Sequence, residues 1–463
     1  MSISRLILAI SILFSLYSCE STNTEKPIDL ENMDLSVSPG EDFFIYVNGN
    51  WLKNNPIPDE YSKYGSFEYL EKLNYERLKS LLSTIKKDKS AEQGSNRQKI
   101  RDFYISGMDI NSINNNGTKP IQSIRDKIQE ADSKDDFSVL MANLHTKGFR
   151  PFFALRATQD RSNTEMMIGS IGQSGLGMSD KDYYIKDDER TLAIREAYKD
   201  MIRRIFMLAE NSEEEAESKV QDIMLVETKL AEASMSRLER RNPYATFNKM
   251  PVEELINLCP SFDWNTYFKE RELSVDEINV GMPDFMKEVG NILENTDTEI
   301  IKNYLDWNVL RYTAAYIGED FENATFEFYG KVMSGREKNQ ERWKRVLRTL
   351  DRSIGKAIGE EYVKVYFPKE AKERMEELVS YLKRGFEQRI DRLDWMTSET
   401  KQKAIKKLDV INLKIGYPDK WTDYAKLEIA NRPYVLNVLA SREFNIKKNI
   451  SEIGHPVDRD KWF

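Results

Sequence analysis

The sequence predicts a large, mainly α-helical fold that carries one small β-hairpin. In three long segments, residues 64–85, 189–241 and 370–393, apolar residues recur every three or four positions, which places them on one face of a helix. Two shorter segments, RPFFALRA and EMMIGSIG, flank the polar TQDRSN and indicate a hairpin. We see no internal repeat in the 463 residues, which are enough for two domains or for one large helical lobe plus part of another.

The helical stripes can be followed in chain order. The first follows an aromatic, turn-rich block and contains Phe67, Leu70, Leu73, Leu78, Leu81 and Leu82. The second includes Val220, Ile223, Met224, Leu230 and Leu238, and it begins behind Ser212 and Glu215, which have the spacing of a capping box. The third consists of Met375, Leu378, Val379, Leu382, Phe386, Ile390 and Leu393. We expect all three stripes to pack into the core.

Two polar segments between these helices predict irregular backbone. NSINNNGTKP, residues 111–120, has the Asn and Gly content of a loop. Gly172, Gly175 and Gly177 lack the spacing of a phosphate-binding loop, so a turn is the favoured interpretation.

Composition and charge exclude some functions. Charged residues make up 32% and hydrophobic residues 40%, which is typical of a folded soluble protein. The formal net charge of -8 argues against a nucleic-acid partner, because that affinity rests on Lys and Arg neutralising phosphates.

The N-terminus predicts export and lipid anchoring. Arg5 precedes an apolar run at residues 6–16, which is too short to span a bilayer but fits a secretory signal. LYSC resembles a bacterial lipobox, so residues 1–18 would be a lipoprotein signal peptide, Cys19 the lipidated residue and residues 19–37 a polar tether. The alternative is an ordinary cleaved signal with an incidental Cys19. The lipoprotein interpretation predicts that the protein is exported to the bacterial cell envelope and held at a membrane surface by its lipid anchor. It leaves open whether this is the inner or the outer membrane.

No complete catalytic or metal site can be assembled from this sequence. The chain has two histidines, His145 and His455, and neither belongs to an H-E-x-x-H or a Ser-His arrangement. We therefore expect structural or surface roles for both, and a buried, unreactive Cys259. Carboxylate pairs are expected by chance among 77 Asp and Glu, so they do not indicate a glycosidase.

Several ordered blocks resemble the neprilysin and endothelin-converting-enzyme family of zinc metallopeptidases. They are DFFIYVNGNWLKNNPIP, YGSFEYL, GQSGLGMSDKDYY, AEASMSRLERRNPYATFNKM, FYGKVMSGREKNQERWKRVLRTLDRSIGKAIGEEYVKVYFP and LDWMTSETKQKAIKKLDVINLKIGYPDKW. The resemblance implies a helical lobe that caps a zinc-bearing lobe and admits peptides to the cavity between them. It also implies that residues 38–80 contribute to the catalytic lobe, that residues 81–430 form the capping lobe, and that residues 431–463 begin a return to the catalytic lobe.

The same resemblance implies that the catalytic elements lie outside this sequence. GHPVDRDKWF, residues 454–463, is similar to the segment before the family's Asn-Ala-Tyr-Tyr strand and H-E-x-x-H helix, and neither motif occurs here. We assign no catalytic or metal residue and expect a neprilysin-type metalloendopeptidase fragment that binds no zinc and is inactive alone, although the complete enzyme needs zinc. A second chain could carry the zinc half and complete a site for peptide substrates. The alternative is a non-catalytic peptide-binding envelope lipoprotein.

One substrate contact can be carried over by position. In neprilysin, an arginine immediately before the Tyr-Gly of the block matched by SKYGSFE engages a substrate's C-terminal carboxylate, supported by an aspartate. The matching residues are Lys63 and Glu68. Lysine keeps the charge but loses the bidentate fork of arginine. The other interpretation of Lys63 is a solvated lysine near a helix start.

Overall fold

The computed structural model describes residues 29–462 and divides them into two compact units between Glu68 and Tyr69. The predicted signal peptide, Cys19 and the first part of the tether lie outside the described residues. The mainly helical fold with a small sheet is confirmed. No helix within residues 29–462 is long and apolar enough to cross a membrane. The predicted divisions at residues 80 and 430 stay predictions.

In the first unit an ion pair joins a short helix to the segment that precedes it. Helix α1 (Phe43–Asn54) begins at Asp42, whose side chain accepts a hydrogen bond from the Ile45 amide. Lys53 Nζ on α1 lies 2.6 Å from Asp34 Oδ2, and this contact, with help from Ser36, lowers the pKa of Asp34 to about 2. This ion pair and the hydrogen bond from Asn50 Nδ2 to the Met33 carbonyl at 2.8 Å join the N-terminal segment to α1.

The second unit contains the remaining helices. Helix α2 (Ser66–Lys87) begins in the first unit and continues into the second. The others are α3 (Asn96–Met108), α4 (Ile110–Asn116), α5 (Gln122–Glu130), α6 (Lys134–Thr146), α7 (Asp182–Ile185), α8 (Glu189–Leu208), α9 (Glu213–Ala233), α10 (Val252–Leu258), α11 (Trp264–Glu270), α12 (Pro283–Asn295), α13 (Thr298–Ile317), α14 (Glu319–Thr325), α15 (Arg342–Tyr366), α16 (Lys369–Asp391), α17 (Ser398–Asp409) and α18 (Tyr434–Ile450). A π-helix, Phe326–Val332, follows α14. The predicted capping box of Ser212 and Glu215 begins α9, as expected.

The sheet has four short strands in the order β1-β2-β4-β3. Strands β1 (Phe153–Gln159) and β2 (Met167–Gln173) pair antiparallel from Phe153 opposite Gln173 to Gln159 opposite Met167, which confirms the predicted hairpin. Strands β3 (Lys249–Pro251) and β4 (Glu277–Val280) were not predicted, because three or four residues are too few to show a period.

Residues 454–457 run antiparallel to the start of β2. The amide of Met167 donates to the His455 carbonyl, that of Gly454 to the Met167 carbonyl, and that of Val457 to the Glu165 carbonyl, each at 2.9 Å. These bonds involve the main chain of His455, not its imidazole. The segment after α18 is thereby joined to the sheet.

Two apolar cores hold the second unit together. The larger one packs the inner face of the sheet against α5 to α14, and its largest fully buried side chains include Trp264, Trp307, Tyr198, Tyr267, Tyr304, Phe149, Phe152, Phe153, Phe206 and Phe285. The smaller core joins α2, α3 and α15 with residues 424–438. Cys259 is buried in the larger core, as expected, and burial raises the pKa of its thiol to about 12.

A fully buried carboxylate, Glu227 on α9, collects hydrogen bonds from two other helices. Its Oε2 accepts from the Tyr184 hydroxyl at 2.6 Å and from the Tyr198 hydroxyl at 2.8 Å. Trp307 Nε1 donates to the Tyr198 hydroxyl at 3.1 Å. Burial raises the pKa of Glu227, while the charge of Arg311 acts in the opposite direction. The network ties α7, α8, α9 and α13 together.

The glycine-rich segment after β2 lies beside this network. Its last two glycines, Gly175 and Gly177, are so close to tyrosine side chains that a larger residue would not fit. Gly175 has φ +96°, and Tyr304 donates a hydrogen bond to its carbonyl at 3.1 Å. A Cβ on Gly177 would collide with the hydroxyl of Tyr198. The turn prediction was wrong for Gly172, which lies in β2. Gly175 and Gly177 lie in the irregular segment after the strand, where a Cβ on either would collide with a tyrosine hydroxyl.

The predicted loop at residues 111–120 was wrong over most of its length. Residues 110–116 form α4, because Asp109 caps its first turn and Ile113 is buried beneath it. Gly117, with φ +52°, ends the helix. Asparagine content alone favoured a loop, but a cap and one buried apolar side chain outweigh it.

The third stripe forms the predicted helix but not the predicted core. Helix α16 has no buried residue, and Phe386 is 61% exposed. The stripe's period gave the correct helical face, whereas no part of the chain that the structure describes covers that face. Exposed apolar residues continue beyond the helix at Trp395 and Val410. Exposed apolar residues therefore occur both on α16 and on the two segments that flank α17.

His145 has a structural role. Its Nδ1 lies 2.8 Å from the Tyr267 hydroxyl and its Nε2 lies 3.1 Å from the Pro151 carbonyl oxygen. Burial, together with the charge of Arg271, lowers the pKa of His145 to about 3. The imidazole is therefore neutral near pH 7.

Replacing Glu227 with alanine should destabilise the second unit by about 1–3 kcal/mol for each of the two buried tyrosine hydroxyls that lose their acceptor. Urea denaturation would measure the loss. Glu232→Ala, at an exposed position on the same helix, should change the free energy of unfolding by less than about 0.5 kcal/mol. Equal effects of the two changes would contradict a special role for the network.

Acidification should destabilise the protein through His145. Its pKa is lowered in the folded state, so the unfolded chain binds the extra proton, and stability falls as pH drops below about 6.5. Between pH 7 and pH 5 the loss attributable to His145 should be about 2 kcal/mol. It would be measured as the difference in pH dependence between the native chain and His145→Gln, since carboxylates titrate in both. Parallel stability curves would contradict this assignment.

Candidate functional site

Lys63 and Glu68, the predicted substrate contact, lie together in the first unit. Lys63 Nζ is 3.4 Å from Glu68 Oε1, and the lysine side chain is 84% exposed whereas that of the glutamate is 15% exposed. A hydrogen bond from its own backbone amide, and then Lys63, lower the pKa of Glu68. The ammonium thus faces solvent while the carboxylate orients it, a geometry that leaves the lysine accessible to an anionic group.

Aromatic side chains flank this lysine along the chain. Tyr64 stacks on Trp51 with ring centroids 6.0 Å apart, and Tyr61 meets Tyr64 edge to face at 5.7 Å. The stacked rings restrict the backbone on both sides of Lys63. The short loop before α2 is therefore a defined platform.

The two histidines are not placed for metal chemistry. His145 is buried and uses both ring nitrogens inside the core, and His455 is exposed. Among residues 29–462, no group of three His, Cys, Asp or Glu side chains could hold a metal ion. The zinc that the resemblance implies therefore has no ligand set in the part of the chain that the structure describes.

A large cavity in the second unit, about 530 Å³, lies along the outer face of the sheet. Strands β1 and β2 form its floor, and Ile446 and Asn449 of α18 form one wall. Its basic lining residues are Arg150, Arg156, Arg161 and Arg240, and its described lining contains no Asp or Glu. The cavity is therefore positively charged within an acidic chain.

A row of polar side chains crosses the floor of this cavity. The strand register aligns Arg156 on β1 with Ser170 on β2, and Ser170 with Asn279 on β4. Asn279 Nδ2 donates to Ser170 Oγ at 2.9 Å, and both side chains are buried. Such a row can hydrogen-bond the carbonyl and carboxylate groups of a ligand. It has no base placed to activate the serine, because neutral His145 is engaged by Tyr267 and Pro151.

Sequence reasoning did not find this cavity. Arg156 alternates with buried Leu155 and Ala157, which marks it as outward-facing. Nothing local to Asn279 indicates that it lies in the same row, since β4 joins the sheet from more than a hundred residues away. Only the alternation within β1 could have served as a signal.

Comparison with known proteins places this fold in a family. A family model for the N-terminal domain of peptidase family M13 matches residues 39–418. Endothelin-converting enzyme 1 of Mus musculus is 28% identical over 94% of this chain, and the human enzyme is 27% identical over the same share. The chain spans 58% of the length of each of these relatives.

Solved structures agree. The zinc metalloprotease Zmp1 of Mycobacterium tuberculosis, in complex with an inhibitor, superimposes with a TM-score of 0.87 at 29% identity, covering 94% of this chain and 66% of Zmp1. PepO from Lactobacillus rhamnosis has a TM-score of 0.80 at 18% identity, over 92% of this chain and 68% of PepO, and shows likeness of fold alone. The resemblance noted in the sequence is confirmed, and the chain belongs to peptidase family M13.

Proposed function

We propose that this chain is the peptide-holding N-terminal part of an M13 zinc metalloendopeptidase of the bacterial cell envelope, and that the zinc ligands are supplied from outside these 463 residues. The observation that carries the proposal is the extent of the match: 94% of this chain aligns with Zmp1, a zinc metalloprotease, yet only 66% of Zmp1 is covered. The two histidines here do not form a zinc site. On its own the chain would bind peptides without hydrolysing them.

The exposed apolar face of α16 supports the proposal that another part of the enzyme packs against this helix. Leu378, Leu382 and Phe386 lie on one face of the helix and are each at least half exposed. Contiguous apolar surface of this kind marks an interaction site in soluble proteins. The proposed occupant is the zinc-bearing part, carried either by further sequence of the same protein or by a second chain.

Lys63 is the proposed contact for the C-terminal carboxylate of a peptide substrate, with Glu68 in support. The exposed ammonium and the 3.4 Å contact to the less exposed carboxylate favour this role. A single lysine offers a point charge and not a fork, so the selectivity for free carboxylates should be modest.

A non-catalytic peptide-binding lipoprotein is the second candidate function. It is favoured by the large basic cavity, which offers binding groups but no catalytic pair. In both cases we propose export and anchoring through Cys19 at a membrane surface. Neither candidate involves nucleic acid, because the net charge is -8.

The purified chain should bind no stoichiometric zinc and cleave no peptide, and it should gain chelator-sensitive cleavage when mixed with the zinc-bearing C-terminal part of an M13 relative. Leu382→Asp with Phe386→Asp should prevent this gain by making the α16 face polar. Gln388→Asp, on the opposite side of the helix, is the matched control. Chelator-sensitive cleavage by the chain alone would overturn the site assignment, and no gain with any M13 partner would favour the binding lipoprotein.

In the reconstituted enzyme, Lys63→Glu should raise KM about tenfold for a peptide with a free C-terminus, because a charge-assisted contact is replaced by repulsion. The amidated form of the same peptide should show little change. Lys89→Glu provides an exposed lysine control with the same charge change. Equal KM changes for the two peptides would indicate that Lys63 is only a solvated surface residue.

A further inference from the structure

A second basic pocket, separate from the large cavity, lies between the π-helix and the first half of α15. Its volume is about 210 Å³. Five arginines line it, namely Arg336, Arg342, Arg345, Arg348 and Arg352, and the one carboxylate in its described lining is Glu322. The peptidase assignment gives this pocket no role.

The arginines are crowded onto one helical face. Four of them follow each other on α15 at intervals of three or four residues, which makes them neighbours on the helix surface. Like charges at this spacing repel each other, and most of these side chains are only partly exposed. Folding alone therefore gives no reason to place them together.

Glu322 neutralises only part of this charge. It forms ion pairs with Arg345 and, at 3.4 Å, with Arg342. Arg348 donates to the neutral side chain of Gln340, and Arg336 lies 5.3 Å from the centroid of the Phe326 ring. Those two contacts orient the guanidinium groups without neutralising them.

Some buried guanidinium nitrogens in this pocket also lack a hydrogen-bond acceptor. Arg342 Nη2 and Arg345 Nε are buried and have no hydrogen-bond acceptor. Burial lowers the pKa of Arg342 and that of Arg336, and the neighbouring charges of Arg345 and Arg348 respectively add to the effect. The arginines of this partly buried pocket therefore carry more positive charge than its one carboxylate can neutralise.

The opposite wall of the pocket is rigid. The Met333 amide donates to the Phe328 carbonyl at 2.9 Å, one of the widened turns of the π-helix. Tyr329 lines the pocket and donates to the Gly177 carbonyl at 3.0 Å, which ties the wall to the core. Short π-helices are rare and are frequently found at functional sites. The pocket is therefore preorganised.

We propose that this pocket binds a compact oxyanion carrying two or more negative charges, of the phosphate or pyrophosphate class. Guanidinium groups match such oxyanions with paired N–H donors. Several arginines beside one carboxylate leave room for more than one negative charge, which disfavours a single carboxylate. The anion would act as the counter-charge that the fold lacks, whether it comes as a free ion or as a group on a larger ligand.

Calorimetric titration of the full chain with pyrophosphate, inorganic phosphate and acetate, at constant ionic strength, would test the proposal. Pyrophosphate should bind with one site per chain, phosphate more weakly, and acetate should show no saturable binding. The double change Arg336→Gln with Arg352→Gln should weaken pyrophosphate binding by about tenfold or more, because two charged donors are lost. Arg156→Gln with Arg161→Gln, in the large cavity, removes the same charge elsewhere and should leave the affinity unchanged.

Hydrogen exchange on the unaltered chain gives an independent readout that needs no variant to fold. Pyrophosphate should slow amide exchange within residues 326–352 and not along β1 and β2. The proposal would be overturned by absence of saturable binding, by equal losses in the two double variants, or by protection confined to the sheet. A ligand that carries the phosphate on a larger molecule would be distinguished from a free ion by tighter binding than pyrophosphate.

Discussion

The carboxylate of Glu227 is the interaction on which the second unit depends. It is fully buried, and a polar group in that position is tolerated only when its hydrogen-bond partners are in place. Those partners, Tyr184 and Tyr198, come from two other helices, and Trp307 reaches the network through Tyr198. The glycine turn, whose Gly177 contacts Tyr198, must close at the same time. A single polar centre thus makes the packing of four helices and one turn interdependent.

Much of the fold could be predicted because the determining signals are local. Helical period, the Ser212 capping box and the alternation within the hairpin all lie within a few residues of the structure that they specify. The wrong loop prediction at α4 also has a local cause. Asp109 caps the helix just before the asparagine-rich stretch, so the stretch is helical although its composition favours a loop. Local signals therefore gave the elements but could mislead at their boundaries.

The remainder could not be predicted, because it depends on which distant segments meet. The helical period of α16 correctly predicted that its apolar residues lie on one face. The period does not indicate which segment, if any, covers that face. The two basic pockets are similar cases, since Asn279 reaches Ser170, and Glu322 reaches Arg345, only through the tertiary fold. Lys63 and Glu68 were paired only through the resemblance to a family motif, and they do lie in contact.

The two pockets carry positive charge although the chain as a whole is acidic. The chain has an overall charge of -8, yet both pockets gather arginines with few carboxylates. Charge concentrated in a low-dielectric recess is screened less than the same charge on an exposed surface, so these pockets attract anions despite the acidic exterior. An acidic exterior would also disfavour adsorption to anionic lipid head groups.

The backbone pairing of residues 454–457 with the start of β2 has a mechanical consequence. Hydrogen bonds in an antiparallel pair run perpendicular to the strands, so tension applied along the chain beyond Val457 would load all three bonds in shear at once. The load would pass directly into β2, which forms part of the floor of the large cavity.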